Sequence, residues 1–114
     1  LVYDLANYIN TYEEIIPKST ITKPPSAELR PNQKDQDSLP DYKILDEIVR
    51  LYIEMHKTKK EIIKEGFDQE LVHNIISAIN NNEYKRQQSA MPLRVTTTSF
   101  GIGRRMPIAA KYLD

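Results

Sequence analysis

The chain has 114 residues, with 16 Lys plus Arg against 16 Asp plus Glu and no cysteine. That is the length of one ordinary domain, and a net charge of zero argues against a dedicated nucleic-acid binder; no run approaches the ~20 apolar residues of a membrane-spanning helix. The absence of cysteine removes a disulfide framework, a thiolate metal site and a cysteine nucleophile together.

Leu1 is not an initiator methionine, and no charged-then-apolar signal segment follows it. Val2, Leu5, Ala6 and Ile9 share one helical face, and the pattern opens without a cap, so a segment of a longer protein is expected. This first helix is expected to end near Tyr12. Ile15, Ile16 and Ile21 surround Pro17 and fit either a short extended segment or a single helical turn. Residues 23–40 carry Pro24, Pro25, Pro31 and Pro40 among polar side chains. A structureless stretch beyond ~12–15 residues is uncommon in a compact domain, so it reads as a functional loop ordered by a ligand or partner.

Asp41 caps a second helix, in which Ile44, Leu45, Ile48, Val49, Tyr52 and Met55 recur at helical spacing. Leu51 and Ile53 widen its apolar surface. Thr58 with Glu61 forms a capping box for a short third helix with Ile62 and Ile63 inward, and Gly66 ends it. Asp68 caps a fourth helix carrying Leu71, Val72, Ile75, Ile76 and Ile79 on one face. Asn80–Asn82 weakens that helix, and the continuation Glu83–Gln87 remains compatible with helix. From Ser89 onward no helical period survives: Val95–Thr98 favour extended structure, and Pro92 and Pro107 break any helix. The helices amount to a small cluster whose aliphatic core is marginal for so long a loop and tail, so it is expected to lean on a neighbour or on a second copy of itself.

The zero net charge conceals a split. Residues 1–84 hold 10 basic and 15 acidic side chains, whereas residues 85–114 hold 6 basic and 1 acidic. A basic tail suits an anionic partner, or packs on the acidic remainder of the molecule. His56 and His73 lack a clustered carboxylate and read as structural or solvated. Asp35 and Asp37 could hold Mg2+ with phosphate oxygens, although a solvated acid or a local turn is the simpler reading. Ser26 follows two prolines that fix its backbone; its hydroxyl either meets a phosphate or stabilises a turn. Lys85 and Arg86 either clamp a phosphate or carboxylate or complement a helix dipole. Arg104-Arg105, after Gly101 and Gly103, forms a flexible cationic stretch. None of the three glycines stands in a Walker-type or G-x-G-x-x-G context.

Several stretches together resemble one family. Lys23-Pro24-Pro25-Ser26-Ala27-Glu28-Leu29-Arg30-Pro31, then Gln33, Asp35, Asp37-Ser38-Leu39-Pro40, Tyr42 and Asp46, resemble the C-terminal part of the synthetase domain of NAD synthetase. Asn82-Glu83-Tyr84-Lys85-Arg86-Gln87 and the ending Phe100-Gly101-x-Gly103-Arg104-Arg105-x-Pro107-Ile108 resemble its bacterial glutamine-dependent branch. The resemblance implies a carbon–nitrogen ligase of NAD biosynthesis: deamido-NAD is adenylated by ATP with Mg2+, releasing pyrophosphate, and glutamine-derived ammonia then gives NAD and AMP. It implies an ATP contact for Ser26 and a deamido-NAD contact for Lys85. Tyr84, placed with the deamido-NAD site, stands where ammonia-dependent members often carry His, which supports the glutamine-dependent branch. No catalytic residue or metal ligand is assigned.

The fold expected is mainly α, a small helical cluster with a long loop and extended basic tail. By resemblance it is the C-terminal portion of an α/β adenine-nucleotide α-hydrolase-like (Rossmann-like) domain. The divisions expected are helix and connector at 1–22, a substrate-closing loop at 23–40, the helical cluster at 41–87 and the basic tail at 88–114. The family's pyrophosphate-binding Ser-Gly-Gly-x-Asp-Ser loop, its central sheet and its nitrilase-like glutaminase domain do not occur in these 114 residues. The resemblance therefore implies an inactive piece of a cytoplasmic, homo-oligomeric enzyme that needs the remainder of its synthetase domain, with no nucleic-acid or membrane partner. The alternative is a free-standing helical interaction module whose basic tail docks an acidic partner.

Overall fold

A computed structural model describes residues 1–109; Lys111 and Asp114, which enter the charge count of the tail, lie outside them. Among the described residues all regular structure is helical, in agreement with the mainly α expectation. None of their helices is long and apolar enough to cross a membrane. The chain divides into two compact units, Leu1–Leu39 and Pro40–Asp114.

In the first unit, α1 spans Val2–Ile9 and stops short of the expected Tyr12. Asn10 is the reason. Its side-chain carbonyl accepts from the Ile15 and Ile16 N–H groups at 3.0 and 2.9 Å, and its amide donates to the Ile16 carbonyl at 2.7 Å. These local bonds give the backbone an alternative to another helical turn. Of the two readings left open around Pro17, the helical turn is correct: α2 spans Lys18–Thr22 behind Pro17, and the Glu14 carboxylate accepts from the Lys18 N–H at 3.0 Å. The proline-rich segment that follows is irregular except for a 3-10 turn at Asp35–Asp37. It is pinned by its own bonds, from the Asp35 N–H to the Pro25 carbonyl at 2.9 Å and from the Leu29 N–H to the Gln33 side chain at 2.9 Å.

In the second unit, α3 (Tyr42–Val49) is capped by Asp41, whose carboxylate accepts from the Lys43 N–H at 2.8 Å. Beyond Val49 the coil widens into a π-helical turn over Arg50–Glu54, with the Met55 N–H reaching back to the Arg50 carbonyl at 3.1 Å. Widening the turn rotates every later side chain off the 3.6-residue period. Met55, expected inward, is accordingly 54% exposed, whereas Leu51, three residues beyond Ile48, keeps the helical spacing and is in the core at 2% exposure. Ile44 likewise faces outward at the start of α3, at 41% exposure.

The next two helices follow their local signals. Thr58 and Glu61 form the capping box of α4 (Lys59–Lys64), and Gly66 leaves it at φ +101. Asp68 caps α5 (Gln69–Asn81) through the Leu71 N–H at 2.8 Å. Asn82 interrupts the helix, and α6 covers Glu83–Gln87. The core gathers Ile48, Leu51, Ile62, Val72, Ile75 and Ile76 from α3, the π turn, α4 and α5. Val95–Thr98 form no strand; a bend occupies residues 96–98. Removing the cap at Thr58 frees the Glu61 N–H at the start of α4, so Thr58→Ala is expected to lower stability by about 1 kcal/mol. Urea denaturation checks this, and an unchanged midpoint would show that the cap contributes nothing.

Candidate functional site

The sequence-derived site residues fall into both units. Ser26, in the first, is half-buried and borders a cavity of about 480 Å3 together with Tyr3, Ile21, Lys23, Pro24, Pro25 and Glu28. The two prolines hold its backbone, and its Oγ accepts the Glu28 N–H at 3.1 Å. That is the turn-stabilising role a serine takes in this position. It uses the oxygen as an acceptor and leaves the O–H as a donor. Glu28 stands at φ +53, and its carboxylate pairs with Lys23 Nζ at 2.6 Å. The hydrogen bond and the charge of each partner lower the Glu28 pKa and raise that of Lys23.

Tyr84 and Lys85 lie together on α6 in the second unit. Both are exposed, with Lys85 Nζ 6.0 Å from the centre of the Tyr84 ring. No ion pair engages Lys85 among the described residues. The opposite face of this short helix is occupied. Glu83 is 2% exposed and pairs with both Arg86 and Arg104, the latter at 3.3 Å. Gln87 also donates to it at 3.2 Å. Hydrogen bonding by Arg86 holds the Glu83 carboxyl below its ordinary range against the opposing effect of desolvation, and Glu83 in turn raises Arg86.

Arg86 thus clamps a carboxylate, as its position allowed, but the carboxylate is internal. Its remaining donors go to the Phe100 carbonyl, to that of Gly101 at 2.6 Å and to that of Arg104 at 2.8 Å. Arg104, read from the sequence as part of a cationic stretch, has partners of its own. It donates to the Asn80 side chain at 2.7 Å and lies over the Tyr52 ring at 5.6 Å. Here the tail packs on an acidic residue of the molecule itself, Glu83, as one of the two readings expected. Glu83, Asn80 and Tyr52 escaped the sequence reading as partners of the tail; the Glu83–Arg86 spacing of three on one helical face was the available signal. A second cavity, of about 720 Å3, opens beside this junction between Arg86, Met91, Pro92, Ile102 and Arg105.

The remaining candidates assemble nothing. His56 is exposed, and His73 Nδ1 lies 2.7 Å from Lys59 Nζ at the surface. No group of three His, Cys, Asp or Glu converges among the described residues. Of the two loop acids, Asp37 already accepts the Lys34 N–H at 3.0 Å and pairs with Arg30 at 3.6 Å.

The model of the NAD synthase family matches residues 1–89. The glutamine-dependent NAD(+) synthetase of Acinetobacter baylyi is 51% identical over 110 residues, and that of Aquifex aeolicus is 48% identical over 111. These alignments cover 95% and 97% of this chain and 20% of each relative, so the chain spans about a fifth of the relatives' length. The structure of the glutamine-dependent NAD+ synthetase of Acinetobacter baumannii in complex with ADP aligns with a TM-score of 0.61 at 38% identity, over 94% of this chain and 18% of that one. A family match running through both Ser26 and Lys85, relatives about half identical over nearly every residue and a shared fold agree: the chain belongs to the NAD synthase family, as a fragment of the glutamine-dependent enzyme.

Proposed function

We infer that this chain is the C-terminal part of the synthetase domain of a glutamine-dependent NAD synthetase, within a larger α/β nucleotide-binding domain. In this reading residues 1–22 are helix and connector, 23–40 the loop over the substrates, 41–87 the helical cluster and 88–114 the tail. The parent enzyme is a cytoplasmic homo-oligomer, and the 114 residues alone are inactive. The reaction proceeds in two steps. The carboxylate of deamido-NAD attacks the α-phosphorus of ATP and pyrophosphate leaves. Ammonia released from glutamine then attacks the carbonyl carbon of the adenylate, and AMP leaves as the amide of NAD forms.

The observation that carries this reading is that the family match takes in Ser26 and Lys85 together. Ser26 keeps a hydroxyl donor beside a cavity, suited to an oxygen of ATP. Lys85 offers an exposed ammonium, with Tyr84 beside it, to deamido-NAD. The proline-fixed loop at 23–40 excludes water when it covers the adenylate and so protects it from hydrolysis. Magnesium would accompany ATP in this reaction and offset the charge of its phosphates.

The full-length protein is expected to form NAD, AMP and pyrophosphate from deamido-NAD and Mg-ATP with either glutamine or ammonia. Failure to do so with both nitrogen donors would overturn the reading. Ser26→Ala in that protein is expected to raise the KM for ATP by roughly threefold to tenfold, the value of one neutral hydrogen bond. An unchanged KM for ATP would remove Ser26 from the ATP site.

A further inference from the structure

Helix α6 has only five residues and is cut off from α5 at Asn82. A helix that short has no stability of its own, so its orientation depends on what holds it. Beside its packing on α5, the tail holds it. Gly103 closes a turn by donating its N–H to the Ser99 carbonyl at 3.1 Å. The backbone there approaches so closely that a Cβ on Gly103 would stand 2.5 Å from both the nitrogen and the oxygen of Ser99. Only glycine fits. The turn offers the Gly101 carbonyl, and Arg104 offers its own, to the Arg86 guanidinium on the inner face of α6. Arg104 then returns to Glu83 at 3.3 Å and to Asn80 at 2.7 Å, so the tail grips both sides of the Asn82 break.

We propose that the tail turn Ser99–Arg104 is a positioning element for substrate binding: it fixes the inner face of α6 through Glu83 and Arg86 and thereby aims Lys85 and Tyr84, on the outer face, at deamido-NAD. This rests on the functional reading above. It assigns a role to Gly103, Arg104, Arg86 and Glu83 that requires none of them to touch the substrate.

The test is steady-state kinetics on the full-length enzyme carrying Gly103→Ala, Lys85→Ala and both. Gly103→Ala is expected to raise the KM for deamido-NAD about tenfold, the value of one charge-assisted bond lost at Lys85, and to leave the KM for ATP unchanged. Residues that act as a unit give non-additive effects, so the double variant is expected to be no worse than Lys85→Ala alone. General disruption of the protein would instead lower kcat and raise both KM values, and would add to Lys85→Ala. Arg104→Gln, which keeps the turn closed and a donor toward Asn80 but loses the pair with Glu83, is expected to shift the same constant. It decides the matter if Gly103→Ala does not fold. An unchanged KM for deamido-NAD in the folded tail variants, or full additivity with Lys85→Ala, overturns the positioning role while the functional reading stands. An unchanged KM in Lys85→Ala itself overturns the assignment of Lys85 and the positioning role with it.

Discussion

Lys85→Ala in the full-length enzyme is expected to raise the KM for deamido-NAD by about 10- to 100-fold, the range of a hydrogen bond to a charged group. The ammonium is exposed and has no ion-pair partner among the described residues, so its removal breaks no internal ion pair and loses only an exposed contact with the Tyr84 ring. Stability should therefore remain within the small range of a surface substitution. The kinetic pattern separates two ways for Lys85 to act. A raised KM with unchanged kcat means that the lysine binds substrate and transition state equally; a matched fall in kcat and kcat/KM means that it acts only as the adenylate forms. Arg86→Ala, one residue along, is expected to behave differently. It removes the ligand of Glu83 and of three tail carbonyls, and stability falls along with activity.

The largest stability effect is expected at Glu83. Glu83→Ala leaves Arg86 and Arg104, with side chains 11% and 15% exposed, facing each other without the carboxylate between them. Breaking a buried pair from one side costs about 3–5 kcal/mol, because the remaining charges stay desolvated. Chemical denaturation of the full-length protein measures the loss, and a change below 1 kcal/mol would show that the cluster relaxes into water. The pH dependence has a definite sign. The folded-state pKa of Glu83 is lowered, chiefly by its hydrogen bonds from Arg86. Its contribution is therefore present in full above the ordinary glutamate range and is lost as pH falls through the lowered folded value. The stability difference between wild type and Glu83→Gln should be flat near neutral pH and shrink in acid. A difference that widens in acid would contradict this assignment.

The helix boundaries were legible wherever one residue decides them. Asp41, Thr58 with Glu61, Gly66 and Asp68 each act on the nearest turn, and each stands where the sequence places it. Met55 was misplaced because helical periodicity assumes a constant pitch, and the π turn at Arg50–Glu54 changes it. Tyr12 was misplaced because Asn10 diverts the backbone through contacts five and six residues ahead, beyond the reach of a capping rule.

The site divides in the same way. The roles proposed for Ser26 and Lys85 rest on long motifs held in common with a family; in isolation a serine after two prolines reads as a turn, and the structure shows that turn. The hydrogen bonds of Arg86 to the tail carbonyls, and of Arg104 to Glu83 and Asn80, span 14 to 24 residues. No local pattern encodes such distances. The requirement for glycine at position 103 arises from a backbone approach within the turn itself, and a sequence reveals it only once the turn is known.

The most direct measurement is a crystal structure of the full-length protein with deamido-NAD bound. Lys85 Nζ is expected within hydrogen-bonding distance of the ligand, with Arg86 still on Glu83 and the tail carbonyls. A ligand bound with Lys85 in solvent, or with Arg86 released from the tail to meet it, would contradict the account.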